Sequence, residues 1–314
     1  MALLRDTASA KYGFTGHETF PFRFAWLKKG IDFVRDEPTA FSRQDAIVQL
    51  GVGKNMVRSI RHWGLATQVL EEDRSAAGRP GQALRVSSMG ERLLADGGWD
   101  PYLEDPGSLW LLHWLLATNP ARAATCHLAF AHLPATEFSK RELLQFLETF
   151  VADHDVKVRR ASISRDLDCF LRLYVSALSQ QGVVVADTFD CPLVELSLLQ
   201  SIQEGEIYRF SVGPKPSLPV EVVGFALLQY LAGSSGEQQT VSMTNVLYDG
   251  ESPGQIFKLD EQSLGGYIDA LEELTGAAVQ QDETAGLRQV YWRRDFDGLD
   301  LLTQYYNGSN GRVG

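Results

Sequence analysis

The residue types best suited to chemistry in this chain of 314 residues lie near its start, in the sequence GHETF at positions 16–20. His17 and Glu18 are adjacent there, and in an extended segment both could line the edge of one pocket. A carboxylate can hold Mg²⁺, which prefers oxygen ligands, and a histidine can move a proton. A nearby cation can stabilise the charge that develops on a phosphate. The segment therefore offers the parts needed for metal-assisted cleavage of a phosphodiester.

Four residues in or near this segment are assigned to the chemistry. The predicted roles are catalysis for His17, Glu18 and Arg23, and metal binding for Glu18 and Asp32. One carboxylate is too few for a Mg²⁺ site, so Asp32, or an aspartate of the later sequence RRDFDG at 293–298, would have to join Glu18. Two structural interpretations stay open. His17 and Glu18 could form a hydrogen-bonded corner between domains, and the later aspartates could form a solvated or capping run.

The segment from residue 45 to residue 64 has the pattern of a helix-turn-helix. Apolar residues share one face of a short first helix, for which Ser42 is the predicted N-cap. Gly51 and Gly53 mark the break, because glycine takes the positive φ that a tight turn between helices needs. A second helix is predicted from Lys54 to Trp63, with a buried face formed by Met56, Val57 and Ile60.

The outer face of the second helix carries side chains suited to a DNA duplex. Lysine and arginine neutralise phosphates, arginine can bind guanine through two hydrogen bonds, and asparagine can pair with adenine. Residues 66–88 have the pattern of two strands around a turn, a predicted wing that could reach a phosphate or the minor groove. The residues predicted to bind DNA are Lys28, Lys29, Lys54, Asn55, Arg58, Arg61, His62 and Arg79. A solvated basic face on an ordinary helical hairpin is the open alternative.

Charge is distributed unevenly along the chain, whose net charge is −11 at pH 7. Residues 1–94 contain 14 Lys and Arg against 10 Asp and Glu, whereas the remaining residues contain 15 against 30. A basic first segment joined to an acidic body suggests DNA contact at one end, and protein contact or simple solvation elsewhere.

Composition narrows the class of protein. The hydrophobic content of 44% and the charged content of 22% are typical of a soluble globular protein, and no apolar run reaches the about 18 residues that a membrane span requires. The first residues include Arg5 and Asp6 and lack the apolar core of a secretory signal. Three widely spaced cysteines, Cys126, Cys169 and Cys191, form neither a zinc pattern nor a disulfide framework. These features predict a cytoplasmic protein.

The remaining periodicity predicts a mainly α fold with small β wings, arranged as tandem winged-helix or helix-turn-helix-like modules. The predicted segments are an N-terminal winged-helix-like DNA-binding module at 1–97, connecting helices at 98–135, a central helical module at 136–216 and a C-terminal winged-helix-like module at 217–314. A first helix at 20–35, a capping box at Ser139 and Glu142, and a hydrogen-bonded core histidine at His113 are expected. A hairpin that turns near residues 283–286 would close the last module.

Four segments of the sequence resemble those of a known bacterial family. They are GHETFPFRFAWLKKG at 16–30, AIVQLGVGKNMVRSIRHW at 46–63, DPYLEDPGSLWLLHW at 100–114 and CPLVELSLL at 191–199. The family, long known only as a domain of unknown function, includes the SspB-type DNA nickases of single-stranded DNA phosphorothioation systems. The resemblance implies a DNA-nicking activity that requires a divalent metal. It also implies cooperation with a cysteine desulfurase, an ATPase and an ATP pyrophosphatase, which together replace a phosphate oxygen by sulfur.

The combined interpretation is a Mg²⁺-dependent endonuclease that binds duplex DNA and nicks one strand so that sulfur can be incorporated. A homodimer is a possible assembly. A non-catalytic DNA-binding adaptor or regulator is an open alternative, favoured by the scarcity of clustered carboxylates and histidines. It would use the same helix and recruit the modification proteins through its acidic body. A protein-interaction scaffold that does not touch DNA would fit the negative net charge.

Overall fold

The computed structural model describes residues 11–76, 81–176, 191–202, 205–234, 240–284, 287–293 and 296–309. Helices predominate in these residues and three small sheets accompany them, so the predicted mainly α class with small β elements is confirmed. The described chain divides into two compact units, residues 11–129 with 137–209 and residues 130–136 with 210–309. The finer division into four segments stays a prediction. Arg79 and Asp295 lie outside the described residues.

The first unit begins with the elements expected for a helix-turn-helix and a wing. They are α1 (Phe24–Asp36), α2 (Ala46–Leu50), α3 (Lys54–Ala66), β1 (Leu70–Glu72), β2 (Leu84–Val86) and α4 (Ser88–Leu94). Between α2 and α3, Gly51 takes a φ of 64° in the turn, so the two predicted helices and their glycine turn are confirmed. The strands β1 and β2 pair antiparallel, with Leu70 opposite Val86.

Two local predictions in this region are wrong. Helix α1 begins at Phe24 rather than at residue 20, because Pro21 disfavours a helical conformation at the residue before it. Ser42 does not cap α2, since its hydroxyl donates to a backbone carbonyl in the segment before β2. Asp45 occupies the N-cap position instead, and its side chain accepts a hydrogen bond from the Gln49 side chain at 2.7 Å rather than from a backbone N–H of the helix.

The first unit also contains α5 (Pro106–Ala117), which is buried at every position from Gly107 onward. An all-round apolar surface of this kind belongs to a core helix. His113 Nδ1 lies 2.8 Å from the hydroxyl of Tyr174, which confirms the predicted hydrogen-bonded core histidine. The later elements are α6 (Ala124–His127), β3 (Glu137–Ser139), α7 (Lys140–Asp153), α8 (Arg160–Tyr174), β4 (Leu199–Ile202) and β5 (Ile207–Phe210). The predicted capping box at the start of α7 is confirmed.

The second unit packs helices beside a three-stranded sheet of order β6-β8-β7. Its elements are α9 (Val220–Ser234), β6 (Thr240–Ser242), α10 (Met243–Tyr248), α11 (Pro253–Ile256), α12 (Glu261–Thr275), β7 (Val279–Thr284), β8 (Leu287–Trp292) and α13 (Gly298–Ser309). β7 and β8 form the predicted closing hairpin. A Cβ at Gly224 of α9 would lie 2.5 Å from Leu271 and 2.6 Å from Leu301, so glycine lets these helices approach closely.

Two further sequence interpretations, on Asp297 and on the cysteines, can be compared with the structure. Asp297 Oδ1 accepts a hydrogen bond from the backbone of Leu299 in the first turn of α13, at 2.9 Å, which agrees with the capping interpretation. Cys126, Cys169 and Cys191 are buried and form no disulfide. Among the described residues, no helix has the length and apolar character needed to cross a membrane.

Two buried lysines of the second unit bind backbone carbonyls. Lys258 Nζ donates to the carbonyl of Phe130 at 2.7 Å and lies 4.5 Å from the ring centroid of Phe210. Lys215 Nζ donates to three backbone carbonyls, one of which belongs to Lys258. Burial lowers the pKa of Lys258 to about 7 and that of Lys215 to about 8. The carbonyl oxygen of Phe130 and an aromatic face thus take the place of a carboxylate partner for Lys258.

We expect Lys258→Met to reduce the pH dependence of stability. Because unfolding restores the ordinary pKa of 10.5, the unfolded chain binds more protons at this site than the folded chain between about pH 7 and pH 10.5. The contribution of this lysine to the free energy of unfolding therefore rises with pH in that window, and the variant loses that rise. Chemical denaturation at several pH values measures it. Lys29→Met, at an exposed lysine, is the control, and equal pH profiles in all three proteins would contradict this account.

Candidate functional site

The GHET loop, residues 16–19, precedes α1 and has an unusual backbone. Gly16, Glu18 and Thr19 have φ angles of 116°, 48° and 68°. A residue with a side chain in this left-handed region is strained by about 1–3 kcal/mol, so the surrounding structure must hold it there. Such conformations concentrate at functional sites. The loop is therefore the first candidate for a site.

His17 holds the GHET loop from inside. The residue is 4% exposed, and its Nδ1 accepts a hydrogen bond from the backbone N–H of Thr19 at 3.0 Å. Nε2 lies 2.9 Å from Asp166 Oδ1, although the two are not aligned for a hydrogen bond. Asp166 Oδ2 accepts the backbone N–H of Thr125 at 3.2 Å. Both ring nitrogens thus face protein groups, and the His17 side chain anchors the loop.

Two helices also anchor the backbone of this segment. From α3, the hydroxyl of Ser59 donates to the carbonyl of His17 at 2.9 Å, and Trp63 Nε1 donates to the carbonyl of Phe20 at 2.8 Å. From α8, the guanidinium of Arg172 donates to the carbonyl of Thr19. These bonds to α3 and α8 tie the strained loop to both helices.

His62 lies behind the GHET loop and not on the outer face of α3. It is 6% exposed, and its ring meets that of Trp63 edge-to-face with centroids 4.9 Å apart. A Cβ at Gly16 would lie 2.5 Å from His62 Nδ1. Burial, with the neighbouring His17 as a smaller cause, lowers the pKa of His62 to about 3. The expected DNA-facing position of His62 is contradicted, because its ring fills the space beneath the loop.

The GHET loop forms one wall of a cleft of about 400 Å³. The residues that line the cleft are Phe14, Thr15, Gly16, His17, Glu18, Thr19, Asn55, Ser162 and Arg165. Asn55 belongs to α3, and Ser162 and Arg165 belong to α8. The carboxylate in this lining is that of Glu18, whose Oε1 lies 3.6 Å from Arg58 Nη1. We call this feature the GHET cleft.

The structure separates the two predicted metal ligands. Asp32 does not line the GHET cleft. Its Oδ1 lies 2.6 Å from Lys28 Nζ and 3.5 Å from Arg35 Nη1. Lys28 Nζ is also 2.8 Å from Asp96 Oδ1. The pairing of Asp32 with Glu18 at one metal is therefore not supported, and Lys28 is already bound by two carboxylates instead of projecting freely toward DNA.

The other predicted residues differ in their surroundings. Arg61 is half-buried and donates to the carbonyl of Gly81 at 2.7 Å, so it points toward the segment before β2 rather than outward. The guanidinium of Arg23 lies 5.7 Å from the ring centroid of Trp26, and Arg23 does not line the GHET cleft. The predicted residues with exposed positions are Lys29, Lys54, Asn55 and Arg58.

The side chains near the GHET cleft offer few ligands for a metal ion. Across the part of the chain that the structure describes, no group of three or more His, Cys, Asp or Glu side chains could hold one. Asp166 already uses both oxygens in buried contacts. Mg²⁺ is commonly held by one or two carboxylates together with water and a substrate phosphate. Glu18 could serve as the single carboxylate in that arrangement. The described residues do not provide a metal site built wholly from protein ligands.

Sequence reasoning did not assign Asp166, Ser162, Arg165 or Arg172 to the site. A signal for Asp166 is present, because the residue falls on the buried face of α8 among apolar residues. Aspartate is almost never fully buried unless it has a partner. The partner, His17, lies far away in the chain, and only the fold brings the two together.

Fold and cleft define a mainly helical protein in which the α2–α3 pair stands beside a polar, partly cationic cleft. A family model described as "Protein of unknown function (DUF4007)" matches residues 14–306, and the chain belongs to this family. A crystal structure of magnesium ion-bound SspB is similar, with a TM-score of 0.86 and 30% identity over 99% of this chain and 93% of that chain. Another SspB crystal structure gives a TM-score of 0.85 and 31% identity over the same shares. No curated protein matches the sequence.

We expect Gly16→Ala to destabilise the protein by about 3 kcal/mol, because it adds left-handed strain and a Cβ that meets the His62 ring. Gly53→Ala is the matched control, since Gly53 has a φ of −66° and no atom within 4 Å of the added Cβ. Its cost should be about 1 kcal/mol or less. Denaturant unfolding measures both changes. Equal stability of the two variants would show that the loop tolerates a side chain at position 16.

Proposed function

We propose that this protein binds duplex DNA and nicks one strand within a DNA phosphorothioation system, with Mg²⁺ as its metal. The observation that carries the proposal is the GHET cleft, where the Glu18 carboxylate stands on a strained loop beside cationic and amide side chains. The similarity to a magnesium ion-bound SspB structure supports the choice of metal. Membership of the family supports the choice of system, as the sequence resemblance implies.

DNA binding is proposed for the exposed start of α3. Lys54, Asn55 and Arg58 are exposed there, and the N-terminal residues of a recognition helix are those that meet base edges in helix-turn-helix proteins. Lysine and arginine would contact phosphates, while Asn55 could recognise a base edge through its amide. Lys29 and Arg79 are kept as predicted contacts outside this helix.

Strand cleavage is proposed at Glu18, where water would be added across one P–O bond of the backbone. Arg58, whose Nη1 is 3.6 Å from the Glu18 carboxylate, would stabilise negative charge on the phosphate. His17 would position Glu18 through its bond to Thr19, in place of the direct proton transfer that the sequence suggested. Mg²⁺ held by Glu18 and the phosphate would supply further charge neutralisation.

The proposed partners are a cysteine desulfurase, an ATPase and an ATP pyrophosphatase, which would carry out the sulfur chemistry. The three thiols of this chain are poorly suited to it, because all are buried. Burial raises the pKa of Cys126 and Cys169 well above the ordinary value, and that of Cys191 to about 12. A protonated, enclosed thiol is a poor nucleophile. In this proposal the partner proteins carry out the sulfur chemistry, and this chain acts on the DNA.

Glu18→Gln tests the proposed chemistry. We expect the wild type to convert supercoiled plasmid to open circles with Mg²⁺ and not with EDTA, and the variant to do so about 100-fold more slowly. Duplex binding should persist, because the change removes no cation. Glu104→Gln, at an exposed carboxylate before α5, is the control. Equal rates for Glu18→Gln and wild type would remove Glu18 from the reaction and place the activity elsewhere.

A non-catalytic DNA-binding adaptor is the second candidate. It is favoured by the lack of a three-member metal-binding group among the residues that the structure describes. Duplex binding by the full chain, without open circles in Mg²⁺ or Mn²⁺, would establish this candidate. Failure to bind duplex even at low salt would support the protein-interaction scaffold.

A further inference from the structure

Helix α8 supplies a wall of the GHET cleft that lies outside the helix-turn-helix. Ser162 and Arg165, one turn apart on this helix, both line the cleft. The next residue, Asp166, is buried and contacts His17 beneath the loop. The exposed and buried sides of α8 therefore both meet the same loop, which fixes Ser162 and Arg165 relative to Glu18.

The side chain of Arg165 is available to an anion. Its Nε donates to the carbonyl of Ala161 within α8 at 3.1 Å, and no carboxylate among the described residues forms an ion pair with its terminal nitrogens. Arg160, in the first turn of the same helix, differs because its Nε lies 2.5 Å from Glu148 Oε1. An exposed guanidinium without an acidic partner can donate two parallel hydrogen bonds to a phosphate.

Uncharged donors complete the lining. Asn55 is the second residue of α3, and Ser162 is the third residue of α8, so the N-terminal ends of both helices lie at the cleft. Helix N-termini carry partial positive charge, and Ser and Asn side chains commonly bind backbone phosphates of DNA. The carboxylate of Glu18 opposes an anion, but Arg58 at 3.6 Å offsets its charge.

The size of the cleft indicates how much DNA can enter it. A volume of about 400 Å³ is in the range of pockets for small molecules. A duplex is wider than its major groove, which is itself about 12 Å wide, so a whole duplex does not fit into a cleft of this volume. One sugar–phosphate unit of a single strand does fit.

We propose that the GHET cleft binds the sugar–phosphate backbone of one DNA strand, with Ser162 and Arg165 of α8 contacting its phosphate. Helix α3 then holds the duplex outside the cleft, and α8 acts as a second DNA-binding element. This inference rests on the proposed DNA binding and adds the contact that selects one strand. A site that admits one backbone at a time accounts for a nick rather than a double-strand break.

The salt dependence of DNA binding by the full-length protein tests the α8 contact. Fluorescence anisotropy with a short labelled duplex, and with one of its strands alone, gives log Kd against log salt in EDTA. We expect Arg165→Ala to weaken binding about tenfold at low salt and to reduce the slope by about one unit on both probes. Arg58→Ala should reduce the slope on the duplex by a similar amount. Arg160→Ala removes a cation of the same helix that does not line the GHET cleft, and it should leave the slope unchanged.

Two further variants separate the contact from damage to the fold. Arg165→Lys keeps the charge and should keep the slope, and Ser162→Ala should weaken binding without changing the slope, because it removes no charge. If Arg165→Ala and Arg160→Ala gave the same slope while Arg58→Ala lowered it, the α8 contact would be overturned. The proposed DNA binding would be unaffected by that result. If Arg165→Ala weakened binding to the duplex but not to the single strand, the assignment of the cleft to one strand would be overturned. Wild type that binds neither probe would overturn the DNA-binding function and this inference together.

Discussion

The buried imidazole of His17 is the group on which the rest of the site depends. Its Nδ1 fixes the backbone of Thr19, and its Nε2 faces Asp166 of α8. One side chain thus joins a helix to a loop whose backbone has a positive φ on both sides of it, at Gly16 and at the strained Glu18. Without the ring, the buried Asp166 carboxylate would lose the polar neighbour that faces its Oδ1. The place of the Glu18 side chain in the cleft follows from this arrangement.

Pairing, more than the number of cations, decides which parts of the first unit can attract DNA. Lys28 lies between two carboxylates and Arg160 beside one. Arg165, at the GHET cleft, forms no such pair among the described residues. A cation held close to a carboxylate adds little to the local field, whereas Arg165 adds most of its charge. Arg58, whose Nη1 lies farther from Glu18 at 3.6 Å, keeps part of its charge. A net charge of −11 is therefore compatible with a cationic surface at one place on the molecule.

Burial shifts the pKa of several groups in the direction that favours their neutral forms. Desolvation lowers the pKa of His62 and Lys258 and raises that of Cys191, because in each case it disfavours the charged form. None of these groups lines the GHET cleft. The side chains there that are charged and at least partly exposed are Glu18 and Arg165, with Arg58 close by. The chemistry proposed for the protein is accordingly built on them.

The sequence alone determined the elements that depend on neighbours in the chain. The α2–α3 pair, the Ser139 capping box and the final hairpin follow from periodicity, local hydrogen bonds and turn residues, and the sequence GHETF marked the loop. The tertiary structure decided the positions that depend on distant partners. It buried His62 beneath the loop, brought Asp96 to Lys28 and brought Asp166 to His17. The physical reason is that helical periodicity gives the face on which a residue lies, whereas its pairing and burial depend on what packs against that face.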